Sequence, residues 1–275
     1  MKAQLRPSIQ SLRFDTSGWT VEGETADVIK WTNEKTQFLS LHFFAKQPDI
    51  PCSLDSIDAL RLAYRLGLGQ SGGALISVDC GLANGLDCVQ LVFKTPRQPH
   101  GMVYVGSLTF PLADFSYVIK VQSAEFGTTG VRDSLVMDML MRQGAVQINP
   151  ASQQMEGWSA DPYDPTFKSP LLANRSDDEQ YDKQFPDHPL SGVRQCLYRV
   201  VETVSGDESV TTADKFDGPG GRRAQPQPAQ PSIDRFQQQG MREQMPSQQN
   251  RDEDSDAGDA DQQDKKSWWK KLMGK

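Results

Sequence analysis

Apolar and polar residues alternate with a period of two in several short runs of the first half of the chain, as in half-buried strands. Trp19-Thr20-Val21 and residues 27–32 form two such runs around the polar Glu22-Gly23-Glu24, and residues 38–44 form a third. Pro48 and Pro51 then punctuate a loop. The period changes to three and four at Leu54, Ile57, Leu60 and Tyr64, which predicts a helix over 54–66, capped by Ser53 and stopped by Gly67 and Gly69. Residues 74–79 and 87–94 predict a hairpin about Asn84-Gly85, because both turn residues accept positive φ. Two longer strands follow at 102–111 and 115–125. Gly127-Thr128-Thr129-Gly130 leads from them into a helix over 131–142, with Val131, Leu135 and Met139 on the expected inward face and Leu140 beside it.

Residues 156–203 have no such period. X-Pro steps recur among Trp158, Tyr163, Tyr181 and Phe185, which reads as an irregular arm laid over the domain and anchored by those aromatics. The arm closes in a helix from about 192 to 203, capped by Ser191, with Val193, Leu197, Val200 and Val201 facing inward.

Strands, helix, four strands and helix, joined by hairpin-length connections, predict an α+β domain: an antiparallel sheet packed with helices. The order resembles the PsbP-like fold, an α/β/α sandwich. Gly18-Trp19, the proline-flanked loop before the first helix, and the closing strand followed by the 131–142 helix carry the likeness, over residues 15–145. The resemblance implies a protein that binds partners rather than one that catalyses, and it assigns no functional residue.

Past residue 204 the apolar pattern fades. Only 11 of the 62 residues from Ser205 to Lys266 are apolar, and eleven Gln and several Pro lie among them. Burial of so few side chains does not offset a chain entropy of about 1–2 kcal/mol per residue. The chain therefore divides into one domain at 1–204, a disordered Gln/Pro/acidic linker at 205–264, and a terminal peptide at 265–275. The linker ends in seven acids between residues 251 and 264. The peptide follows with Lys265, Lys266, Trp268, Trp269, Lys270, Lys271, Leu272 and Met273. On a helix its two Trp, Leu272 and Met273 share one side and Lys270 and Lys271 the other. That pattern suits docking in a groove of a partner protein or on an anionic membrane surface.

Charge and cysteine content set the class. The 36 acids against 29 bases give a net charge of −7, which argues against nucleic-acid binding. The first residues hold no apolar stretch of signal-peptide type, and Cys52, Cys80, Cys88 and Cys196 show no C-x-x-C spacing. The expectation is a cytoplasmic protein with reduced thiols, placed at the inner face of the membrane if the peptide takes lipid. Cys80 and Cys88 flank the hairpin turn, which leaves a disulfide there open.

No phosphate-loop, nucleophile-elbow or zinc-protease motif occurs, and no cofactor is expected. The segment 125–133 is the most suggestive for chemistry. Thr128, Thr129, Gly130 and Arg132 stand at a helix N-terminus, where free backbone N–H groups hold an anion. In the structural alternative Thr129 caps the helix and Arg132 pairs with Glu125 or Asp133. Asp187-His188, with Asp178 and Asp182 upstream, offers an acid–base or metal cluster, against a plain turn. The leading expectation is thus a non-enzymatic interaction module for a protein partner, of undetermined oligomeric state. The alternative is a small-anion or ligand-binding protein, or an enzyme, working at the 125–133 loop with Asp187 and His188.

Overall fold

In the computed structural model, residues 6–220 are described. The elements in chain order are β1 (Leu12–Arg13), β2 (Thr20–Glu24), β3 (Val28–Thr32), β4 (Phe38–Phe44), α1 (Ile57–Gln70), β5 (Ala74–Ala83), β6 (Leu86–Pro96), β7 (Met102–Pro111), β8 (Ser116–Ala124) and α2 (Val131–Arg142). The short β9 (Gln147–Ile148) and β10 (Met155–Glu156), then α3 (Pro189–Thr203), β11 (Ser205–Gly206) and α4 (Glu208–Thr211) complete them. Seven strands form one antiparallel sheet in the order β2-β3-β4-β8-β7-β6-β5. The fold is α+β. No described helix is long and apolar enough to cross a membrane.

The period-two pattern puts one face of this sheet under α3. Leu39, Leu41, Phe43, Leu108, Tyr117, Ile119 and Val121 meet Val193, Leu197 and Val200 in the main core. Gly106 sits beneath the helix, where a Cβ would lie 2.7 Å from both the Leu197 and Val193 side chains. The second face is covered by α1 at its β5 end, where Leu60, Tyr64 and Leu68 are buried.

The Asn84-Gly85 turn forms as expected, with φ of 46° and 85°, and the Asn84 amide donates to the Val204 carbonyl at the end of α3. The register of β5 and β6 pairs Cys80 with Val89 and Gly81 with Cys88. The two cysteines therefore project from opposite faces of the sheet, and all four thiols are free.

Three expectations change. Gly67 and Gly69 do not stop α1, which runs through them to Gln70. A Cβ on Gly69 would meet Ser169 Oγ at 3.1 Å and Phe167 at 3.4 Å, so this glycine lets the arm come close to the helix. The helix also starts later than Leu54, with Ser56 and not Ser53 at its N-cap. Finally, regular structure continues past 204. β11 pairs with β1, the Asp207 N–H donates to the Ser11 carbonyl, and Val210 and Phe216 are buried. Residues 205–220 gain their order from this pairing with the chain's start, which their own composition does not reveal. The rest of the 205–264 linker and all of the 265–275 peptide lie outside the described residues.

The arm holds to the domain largely by its aromatics. Trp158, Tyr181 and Phe185 pack with Val136, Leu140 and Val146 in a second core. The Tyr163 hydroxyl accepts from the Val78 N–H at 2.8 Å and donates to the Val78 carbonyl at 3.1 Å, midway along edge strand β5. Arg61 stacks on the same ring.

The α3–sheet contact gives a direct test. Gly106→Ala should lower stability by about 1–3 kcal/mol, because the added methyl overpacks the helix against β7. Denaturant unfolding of the two forms measures it.

Candidate functional site

The joint between β8 and α2 brings several of the candidate residues together. Gly130, at φ 71°, is the N-cap of α2, and no hydroxyl caps the helix. Glu125 takes that place: its carboxylate accepts from the Gly130 N–H at 2.8 Å and from the Met102 N–H at 2.9 Å. Burial alone would raise the Glu125 pKa. The His188 ring and the two N–H donors outweigh it, and the carboxyl ends below its ordinary value. The anion at this helix N-terminus is thus the chain's own.

His188 approaches from the other side. It is the N-cap of α3, and its Nδ1 accepts from the Leu190 N–H at 3.2 Å. That bond places the proton of the neutral ring on Nε2. Nε2 is buried 3.8 Å from Glu125 Oε1, beyond hydrogen-bond reach, and has no hydrogen-bond partner among the described residues. The ring meets Tyr104 edge-on at 5.1 Å. Asp187, its neighbour in sequence, turns outward, is 87% exposed and pairs with Lys35 at 3.0 Å. The two residues read together as a cluster therefore diverge.

Glu125 and His188 lie at the side of an open groove of about 930 Å³, walled also by Trp19, Lys35, Phe126 and Val131. Thr128 lines it as well. Thr129 does not, and its methyl packs over Gly101. Cys196 borders the groove as a poor nucleophile, because burial pushes its thiol up to about 12.

Arg132 points away from the groove into the protein and is 1% exposed. Its Nε donates to the Ser176 carbonyl at 2.7 Å and its Nη2 to the Asp178 carbonyl at 3.0 Å. Its Nη1 donates to Asp182 at 2.8 Å and to Ser191 Oγ at 2.9 Å. Its partner is thus neither Glu125 nor Asp133. The inward face of α2 is Arg132, Val136 and Leu140, while Val131 and Leu135 are exposed. The expected face was wrong because the guanidinium, with its partners on the arm, selects which stripe turns in.

Around Arg132 lies a network that sequence reasoning missed. Arg194 reaches both oxygens of Asp182 and donates to the Asp177 carbonyl at 2.6 Å. Lys94, 2% exposed, pairs with Asp177 at 2.7 Å. Asp133 accepts from Ser176 and Asn174. Local sequence holds one hint: Asn174-x-x-Asp177 is a capping box, and it forms. Among the described residues, no three His, Cys, Asp or Glu side chains are placed to hold a metal ion.

Two variants test this arrangement. Arg132→Met leaves Asp182 and two carbonyls short of a donor, and should cost about 3–5 kcal/mol in chemical unfolding. Arg132→Lys should not restore it, since one ammonium cannot span four acceptors. Glu125→Gln should cost about 1–3 kcal/mol near neutral pH. Because the folded-state pKa of Glu125 is lowered, its contribution is full above the ordinary value of 4.5 and is lost as pH falls through the folded value. The stability gap between wild type and Glu125→Gln should therefore close on acidification.

No protein-family model and no curated protein matches the chain in sequence. Among solved structures, a crystal structure from Bacteroides thetaiotaomicron is similar over 44% of this chain at 10% identity, with a TM-score of 0.28, and the chain spans 41% of its length. The solution structure of cyanobacterial PsbP (CyanoP) from Synechocystis sp. is similar over 49% of this chain and 81% of that one, at 12% identity and a TM-score of 0.27.

Proposed function

We propose that the chain is a non-enzymatic interaction module that binds a protein partner through its domain and carries a second, tethered docking peptide at 265–275. One observation supports this most: Phe126, Val131 and Leu135 are 55%, 44% and 56% exposed, beside the Glu125–His188 groove. Val131 and Leu135 are four apart on α2 and share one side. The Phe126 ring is held in place by Arg97, whose guanidinium stacks 4.2 Å from the ring centre. Apolar side chains grouped at the rim of a polar groove are what a partner's hot spot fits. The partner-binding role implied by the PsbP-like element order agrees with this reading.

The peptide serves a different purpose. Tethering to the domain raises its local concentration near anything the domain holds. Trp268 and Trp269 supply apolar anchors, and each lysine adds about 1 kcal/mol near an anionic bilayer. On this reading the protein works in the cytoplasm, at the inner face of the membrane when the peptide takes lipid.

A second reading, a ligand-binding protein or enzyme at the 125–133 loop, draws on the approach of Glu125 and His188 to 3.8 Å. The outward turn of Asp187 and the unreactive Cys196 thiol weigh against catalysis there.

The test compares the full chain with a Phe126→Asp/Leu135→Asp variant and with a chain truncated after Asp264. Partners captured by the wild type should be lost with the double variant at unchanged thermal midpoint, since both positions are exposed. Retention of every partner by the double variant would sink the domain half of the proposal. Trp fluorescence of the 265–275 peptide should shift blue on anionic vesicles, less so at higher salt, or on the captured partner. No shift on either would remove the peptide from it.

A further inference from the structure

The sheet face opposite α3 holds a second surface. Register sets Lys30 of β3 beside Ser40 of β4, Ser40 beside Lys120 of β8, and Lys120 beside Ser107 of β7. The two lysines are therefore two strand spacings apart, about 10 Å. Val28, His42, Val118 and Thr109 form the row on one side, and Thr32, Phe38, Gln122 and Val105 the row on the other. Most of these residues on β3, β4 and β8 are partly exposed, and α1 packs on β5, at the far end of the face.

Among the described residues the charge on this surface has no counter-charge on its own strands. Strands β3, β4, β7 and β8 contain no Asp or Glu. Neither Lys30 nor Lys120 has an ion pair among the described residues. Burial lowers Lys120 to about 8. His42 falls to about 4, through burial first and then the charges of Lys120 and Lys30. His42 also lies 2.9 Å from the Ser40 hydroxyl and stacks on Phe44 at 6.2 Å. Two partly buried lysines with no ion pair among the described residues, set among hydroxyls and apolar side chains, favour an incoming carboxylate.

We infer that this face docks an acidic segment of a partner protein, its carboxylates on Lys30 and Lys120 and its apolar side chains on the Val28/Val118 and Phe38 rows. This rests on the protein-binding reading above and adds the partner's chemistry. A nucleic-acid backbone fits less well. It needs a longer basic stripe than two lysines, on a chain whose net charge is −7.

The experiment uses the full chain and a fluorescent dodecapeptide of alternating Glu and Val, followed by anisotropy. A Lys/Val peptide and a single-stranded oligonucleotide of equal length are the controls. The Glu/Val peptide alone should bind, more weakly as salt rises, and more weakly above about pH 8 as Lys120 loses its proton. Lys30→Gln and Lys120→Gln should each weaken binding about fivefold, as expected for one partly desolvated charge pair, and together abolish it. The Phe126→Asp/Leu135→Asp variant should bind the peptide as the wild type does, which separates this site from the α2 surface. An unchanged thermal midpoint shows that Lys120→Gln is folded, and in an NMR titration its His42 should rise only part of the way toward the ordinary histidine value, because burial, the larger cause of the lowering, remains. Failure of the Glu/Val peptide to bind at low salt, or binding that survives the double lysine substitution, overturns the inference. Tighter binding of the oligonucleotide does the same.

Discussion

A buried guanidinium requires partners for its donors, and Arg132 finds them on two separate elements: the arm, through Ser176, Asp178 and Asp182, and the first turn of α3, through Ser191. The arm has little regular structure of its own, so this demand is a large part of what gives it one conformation. Arg194 and Lys94 tie Asp182 and Asp177 from the opposite side. Such a network adds little net stability over a well-packed apolar replacement, but it leaves few alternative arrangements that satisfy every charge. The position of His188 follows from it. Ser191 lies one helical turn from that N-cap, so fixing Ser191 fixes the imidazole relative to Glu125.

Much of the secondary structure was legible because it is local. The runs at 38–44, 102–111 and 131–142 carry their period in consecutive residues, and Asn84-Gly85 specifies its own turn. The orientation of α2 was not legible. Its sequence offers two apolar stripes, Val131/Leu135/Met139 and Val136/Leu140, and the choice depends on Asp182, fifty positions away. The order of residues 205–220 depends on β1, at the opposite end of the domain's sequence. Of the candidate site, the helix N-terminus was legible as a place for an anion, but that the anion is Glu125 is a matter of tertiary geometry. The Lys30–Ser40–Lys120 row was invisible, since ninety residues separate its two charges and only strand register joins them.

The two faces of the sheet have different tasks. Under α3 the alternating positions are apolar and build the core. On the other face α1 covers only the β5 end, and the same alternation brings lysine, serine, histidine and threonine to the surface of β3, β4 and β8. One set of strands thus supplies a rigid interior and a patterned exterior. Because register is locked by the core side, the spacing of groups on the outer side is locked with it.

The hydroxyl of Tyr163 occupies the outward-facing N–H and C=O of Val78 at the middle of β5. An unprotected edge strand ten residues long is a template on which unfolded chains nucleate and stack. Here one phenol removes the central pair of template bonds. During synthesis and refolding, β5 stays vulnerable until the arm has closed over it, so the arm acts as the domain's built-in safeguard against self-templated precipitation.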